Sequence, residues 1–251
     1  MDNETFEELR QKMLSLFFRE GNIALFSILS SCVEMNKNSE RNKDTDMHNM
    51  LNSVTNMCMM LARDMEMLKL IEISSDSEKV QREIIGCNAF MESFSRNCSR
   101  VLGIKINVKK RRKGEIWINS SRRVLEYALL CFLRKNYKNK LEYITLSCSK
   151  KDKKITIKLL TECNLKEETD PLTEKEKSEQ LFIDIIQNAV PYIIDAKCVV
   201  SDSEMKIILN EAEMMNDGNI NLSDSDLTDA ESIFSSYHIM LSDIAEYSFF
   251  K

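Results

Sequence analysis

The chain has 251 residues, 43% apolar and 30% charged, with a formal net charge of −5. That length accommodates two modest domains, and no apolar run approaches the roughly 20 residues that a membrane-spanning helix needs. Five glycines and two prolines point to long helices and few tight turns, and two histidines exclude a His-rich metal site.

The N-terminal MDNETFEELR is acidic and amphipathic and does not read as a signal peptide. Eight cysteines form no CxxC pair and lie mostly on apolar faces (Cys87, Cys98, Cys131), so they read as reduced core residues of a cytoplasmic protein. No metal and no cofactor is expected. Charge is uneven: residues 105–154 are strongly basic, including Lys109–Lys113, and Glu204–Glu246 is acidic. Few aromatics interleave with the basic run, which reads as a solvated strand end rather than a nucleic-acid interface.

In chain order, residues 3–36 predict a long amphipathic helix with a wide stripe (Phe6, Leu9, Met13, Leu16, Phe17, Ile23, Phe26, Leu29, Val33), softened midway at Gly21-Asn22. Asn36–Asp46 reads as a polar turn. A second helix from Met47 to Ile73 has Met50, Leu51, Val54, Met57, Cys58, Leu61, Met65, Leu68 and Ile71 on its apolar face. Two helices alone cannot bury stripes this wide. A four-helix bundle made with a second copy can, so residues 3–73 predict a homodimer; the competing arrangement folds the hairpin onto its own second domain. After a polar linker at Ser74–Ser77, residues 78–101 predict a helix ended by Gly103 as a left-handed cap. Two short strands follow, around Ile104–Val108 and Ile116–Ile118.

The stretch from Trp117 to Leu160 organises the rest. Val124, Leu125, Ala128, Leu129, Phe132 and Leu133 share a helix face, with Ser120 or Ser121 as N-cap. Two alternating strands then join through a turn at Lys150–Lys153: Ile144, Leu146 and Cys148 point opposite to Tyr143, Thr145 and Ser147, and Ile155, Ile157 and Leu159 continue the second strand. Lys166–Ser178 is a charged linker. Leu181–Val190 is a helix bounded by Pro191, and Lys197–Val200 pairs with Met205–Leu209 as a closing hairpin. Glu211–Ser225 is an acidic tether. Leu227, Ala230, Phe234, Tyr237, Leu241 and Ile244 predict a C-terminal amphipathic helix, either docked on its own domain or offered to a partner's groove.

This element order, with VLEYALLCFLRKN at its centre, resembles the sensor histidine kinases over roughly residues 3–210. The resemblance implies an α+β protein: a dimerising helical hairpin (residues 1–74), an α/β sandwich of the histidine-kinase ATPase type (75–210), and an appended acidic tether and helix (211–251). It also implies partners in two-component signalling, a response regulator or a kinase.

The motifs of that family are mostly replaced. Asn22–Leu29 is similar to the stretch after the phosphoacceptor histidine, which puts Arg19 and Glu20 at the acceptor position; a protonated guanidinium has no lone pair for attack on phosphate. Cys131 and Lys135 occupy the two positions of the magnesium-binding asparagine, and Asn136 is one residue off, a rotation of about 100° around the helix. Lysine carries donors only and cannot ligate magnesium while charged. Glu162 stands near the adenine-reading aspartate, in a segment without its glycines. Phe182 sits where a Gly-rich turn would bring backbone N–H groups to phosphates. No glycine occurs between Gly114 and Gly218. The expectation is therefore a non-catalytic relative acting by protein contact. The alternatives are a phosphotransferase using His48, an active kinase with divergent motifs, and a nucleic-acid module built on residues 105–123.

Overall fold

The computed structural model describes residues 3–42, 45–74, 80–110, 114–137, 141–163, 174–212, 235–241 and 244. They fall into two compact units, one up to Lys69 and one from Leu70.

In the first unit α1 (Asn3–Asn42) and α2 (Thr45–Ser74) form an antiparallel hairpin. The buried line of α1 is Phe18, Leu25, Leu29, Cys32, Asn36 and Ser39, and α2 answers with Leu51, Thr55, Cys58, Ala62 and Met65. Steps of three, four and seven residues along these lines are the spacing of 3-4 packing between near-antiparallel helices. The polar turn expected over 36–46 is mostly helix. Asn36 and Ser39 do not face water: Ser39 Oγ donates to the Asn36 carbonyl at 2.9 Å, and His48 Nδ1 meets Asn36 Oδ1 at 2.7 Å. Polar residues there serve as an inter-helix contact. Gly21 does not soften α1 either. The helix is continuous across it, and an added Cβ would stand 2.6 Å from Met65 Cε, so the glycine permits close approach of α2.

The second unit is a sheet with helices on one face. Strand order is β2 (Ile106–Lys109), β4 (Leu141–Lys151), β5 (Lys154–Cys163), β7 (Glu204–Asn210), β6 (Lys197–Val200); β2 runs parallel to β4 and the other pairs are antiparallel. The expected alternation holds. Ile144, Leu146, Cys148, Ile155, Ile157, Leu159, Met205, Ile207 and Leu209 are buried, beneath α3 (Cys87–Leu102), α4 (Arg122–Tyr137) and α5 (Glu174–Ile194). The β4–β5 turn is tight, with Asp152 in the left-handed region at φ 56°. On the open face Glu204 pairs with Lys158 and Lys206, which together hold its carboxyl below the usual range.

One expected helix is shorter than its apolar spacing suggested. Residues 83–86 form β1, which pairs with β3 (Trp117–Ser120) in a two-stranded ribbon: Ile85 opposes Ile118 and Gly86 opposes Trp117. A helical turn there would have left β3 unpaired. The helix α3 starts at Cys87, with the Glu115 carboxylate accepting from the Asn88 N–H at 2.6 Å. It ends at Gly103, which is left-handed (φ 69°) and donates its N–H to the Ser99 carbonyl, as expected. The helix α5 begins seven residues before the expected Leu181 and carries Pro191 near its end. There Arg82 donates to the Ile193 carbonyl at 3.1 Å, satisfying one of the acceptors left over by the last turn.

Candidate functional site

The helix layer around α4 is where functional residues converge. Nearly every α4 residue from Val124 to Asn136 is buried, because β5 lies beneath it, α5 flanks it, and a short C-terminal helix, α6 (Ser236–Leu241), packs on it and on α3. The expected C-terminal helix thus docks within its own unit. Of the residues that define its stripe, Leu227, Ala230 and Phe234 lie outside the described residues.

Two polar contacts seat α6. The Tyr237 hydroxyl donates to Glu126 Oε1 at 2.8 Å, and its ring lies 5.8 Å from that of Phe94. Arg134 is only 2% exposed and donates from a guanidinium nitrogen to the Met240 carbonyl at 2.8 Å. Burial, then the neighbouring Glu126 carboxylate, pushes the Tyr237 phenol far above its usual range, so it stays a donor. Glu126 and Arg134 are eight residues apart, about two turns, and share one side of α4. The helix α6 has its own cap: the Ser235 hydroxyl meets the His238 N–H at 3.3 Å and His238 Nδ1 at 2.9 Å. Sequence reading passed over Glu126, Arg134 and Tyr237 as a set. A charged pair spaced by two turns inside an otherwise apolar helix was the available signal.

The residues singled out by motif position divide between two faces of the sheet. Cys131 is buried on α4, Lys135 is half-buried one turn on, and Phe182 is buried on α5, so these belong to the helix layer. Glu162 does not join them. Thr161 and Leu159 point into the helix layer, so the exposed Glu162 lies on the opposite face, across from Tyr143. The expected linker at 166–178 lies outside the described residues up to 173. Its remainder is the start of α5. This relocates residues 179–182 into the second and third turns, where each backbone N–H donates to a carbonyl four residues earlier rather than standing free at a helix N-terminus. Asn136, beside the expected magnesium-ligand position, is buried and donates its side-chain amide to the Phe132 carbonyl at 3.0 Å.

Arg19 and Glu20 are both exposed on α1, beside the buried Phe18. His48, half-buried near the start of α2, ties the two helices together through Asn36. The hairpin also carries a second apolar surface. Phe17, Ala24, Ile28 and Met35 are exposed along α1, and Met50, Met57, Leu61 and Leu68 along α2. At about 100° per residue each stripe lies roughly a quarter turn from its own buried line. Because the helices are antiparallel, both quarter turns lead to the same side of the hairpin.

The seven described cysteines with placed side chains are free thiols, and six are buried. The Cys148 thiol contact and burial push Cys87 far above the usual thiol value. Among the described residues no group of three or more His, Cys, Asp and Glu could hold a metal ion, and no helix is long and apolar enough to cross a membrane.

No protein-family model and no curated protein matches the sequence. Solved structures do match. Full-length ShkA in complex with AMPPNP aligns over 81% of this chain and 46% of its own, at 11% identity and a TM-score of 0.55. The histidine kinase AdeS of Acinetobacter baumannii aligns over 74% of this chain and 96% of its own (10% identity, TM-score 0.48). The ATP binding domain of PrrB from Mycobacterium tuberculosis aligns over 54% and 99% (8% identity, TM-score 0.39). The fold is α+β by its own topology, N-terminal helices followed by a mixed sheet, and it is similar to that of full-length ShkA.

Proposed function

We propose that this chain is a histidine-kinase-like protein of two-component signalling that works as a dimeric interaction module and carries out no phosphoryl transfer itself. The observation that carries the reading is the start of α5. Its register commits the backbone N–H groups of residues 179–182 to the helix, at the place where a nucleotide-binding relative needs them for phosphate. Five side chains support it. Lys135 and Cys131 stand at the magnesium-ligand positions, the Asn136 amide is held by its own helix, and Arg19-Glu20 stands at the acceptor position. Cys131, Lys135 and Phe182 would mark a degenerate nucleotide cleft, from which Glu162 is set apart on the opposite face of the sheet. No cofactor is assigned.

The interaction surface is the hairpin. Two apolar stripes on one side of it are complementary to the same side of a second copy, and joining them makes a four-helix bundle through residues 3–73. A bundle of that kind presents its outer helical faces to a response regulator or to a kinase, the two partner classes the fold suggests. The division is then hairpin (1–74), ATPase-like sandwich (75–210) and an acidic tether with its docking helix (211–251), in a cytoplasmic protein.

Sedimentation equilibrium tests the surface. The wild-type chain is expected to run as a dimer. Ile28→Glu with Leu61→Glu, which places carboxylates at exposed positions in both stripes, is expected to give a folded monomer. A wild-type monomer, or a variant that remains dimeric, would remove the hairpin as the dimer surface.

A further inference from the structure

We infer that the groove between α3 and α4 is a peptide-recognition site, specific for a short helical segment carrying a tyrosine and, three and four residues later, methionine and leucine. Its occupant is this chain's own C-terminal segment, held as a removable ligand rather than as part of the core. The inference is independent of the kinase-like reading, since it uses neither the nucleotide positions nor the hairpin.

The occupant has the features of a segment that folds on its receptor. The helix α6 has six residues, too few to be stable in water, so the groove imposes its conformation. Tyr237, Met240 and Leu241 are its anchors, all buried, at the i, i+3, i+4 spacing of helix-in-groove recognition. The last described residue before it is Ala212, at the end of the sheet, leaving 22 residues of chain between that point and Ser235.

The receptor has the features of a built site. Its floor is the ring of Phe94, and its two polar groups sit on one rigid helix two turns apart. Glu126 reads the tyrosine hydroxyl. Arg134, almost wholly buried, reads a main-chain carbonyl in the last turn of α6, where no helical partner is available and the helix dipole is negative. A carboxylate for the side chain and a guanidinium for the C-terminal end fix the direction in which the segment lies. Apolar packing alone would fix neither direction nor the tyrosine. Glu126 is half-exposed even with the segment seated, so its carboxylate is not stranded when the segment leaves.

The experiment uses full-length protein. Tyr237→Ala with Leu241→Glu unseats the internal segment, and a fluorescein-labelled peptide of residues 233–246 is titrated against it by anisotropy. The variant is expected to bind the peptide saturably and at least tenfold more tightly than the wild-type chain, whose groove is occupied. A peptide carrying Tyr237→Phe, which loses the bond to Glu126, is expected to bind several-fold more weakly. A folded variant that binds no peptide overturns the inference. So does a variant that loses its fold, because the segment is then part of the core. Hydrogen exchange on the wild-type chain decides the same question separately: the Ile239 amide is expected to exchange well before that of Leu129 on α4, and exchange of the two in step would contradict a removable ligand.

Discussion

Replacing Gly21 by alanine pits two effects against each other. In a helix interior alanine is favoured over glycine by about 0.8–1.0 kcal/mol. Against this, the new methyl group would lie 2.6 Å from Met65 Cε and 3.3 Å from its sulfur. The atom met is the flexible end of the Met65 side chain, but Met65 is 4% exposed, so displacing it disturbs packed neighbours, and overpacking of this kind costs about 1–3 kcal/mol. The balance is a loss of about 1 kcal/mol. The same substitution made in a Met65→Ala background meets no thioether and keeps only the propensity gain, about 1 kcal/mol of stabilisation. The sign reverses, with a coupling of about 2 kcal/mol between the two sites. Urea titration of the four proteins at one concentration, followed by far-UV circular dichroism, measures it. Stabilisation by Gly21→Ala in both backgrounds would show that α1 and α2 do not approach at this glycine.

Leu129→Ala, at a fully buried α4 position, should cost about 2–5 kcal/mol, read as an earlier urea midpoint of the single tryptophan, Trp117; an unchanged midpoint contradicts the central place of α4. Arg82→Ala removes the donor to the Ile193 carbonyl and should cost roughly 1 kcal/mol in the same titration, with no loss predicting that water replaces it. Burial pushes the Cys198 thiol up to about 12, from an ordinary value of 9.0. Below pH 9 both folded and unfolded thiols are neutral. Between pH 9 and about 12 the unfolded thiol ionises first, so stability falls as pH rises. Cys198→Ala should therefore lose less stability than wild type across that window, and parallel curves would place the thiol in water.

Much of the fold was legible because its signals were local and periodic. The strand alternation of residues 143–159 survives unchanged, since one face of the sheet is buried and a one-residue slip would invert it. Gly103 was identifiable as a cap because a left-handed residue after an apolar helix leaves few other choices. What failed were readings in which a partner distant in sequence decides. Ile84 fits a helical stripe until β3 pairs with it, and Asn36 looks like a turn residue until His48 on the other helix meets it. The start of α5 was misplaced for a related reason: its first turns are charged, so an apolar stripe could not mark them. The Glu126–Tyr237 and Arg134–Met240 contacts join residues more than a hundred positions apart, beyond the reach of spacing rules.

Calorimetric titration of Mg-ATP into the purified full chain tests the central claim most directly, at protein concentrations high enough to register a millimolar dissociation constant. The account predicts no binding heat, because the N–H groups of residues 179–182 are committed to α5 and, on the proposed reading, Lys135 replaces the magnesium ligand. Saturable heat with one site per chain would contradict it.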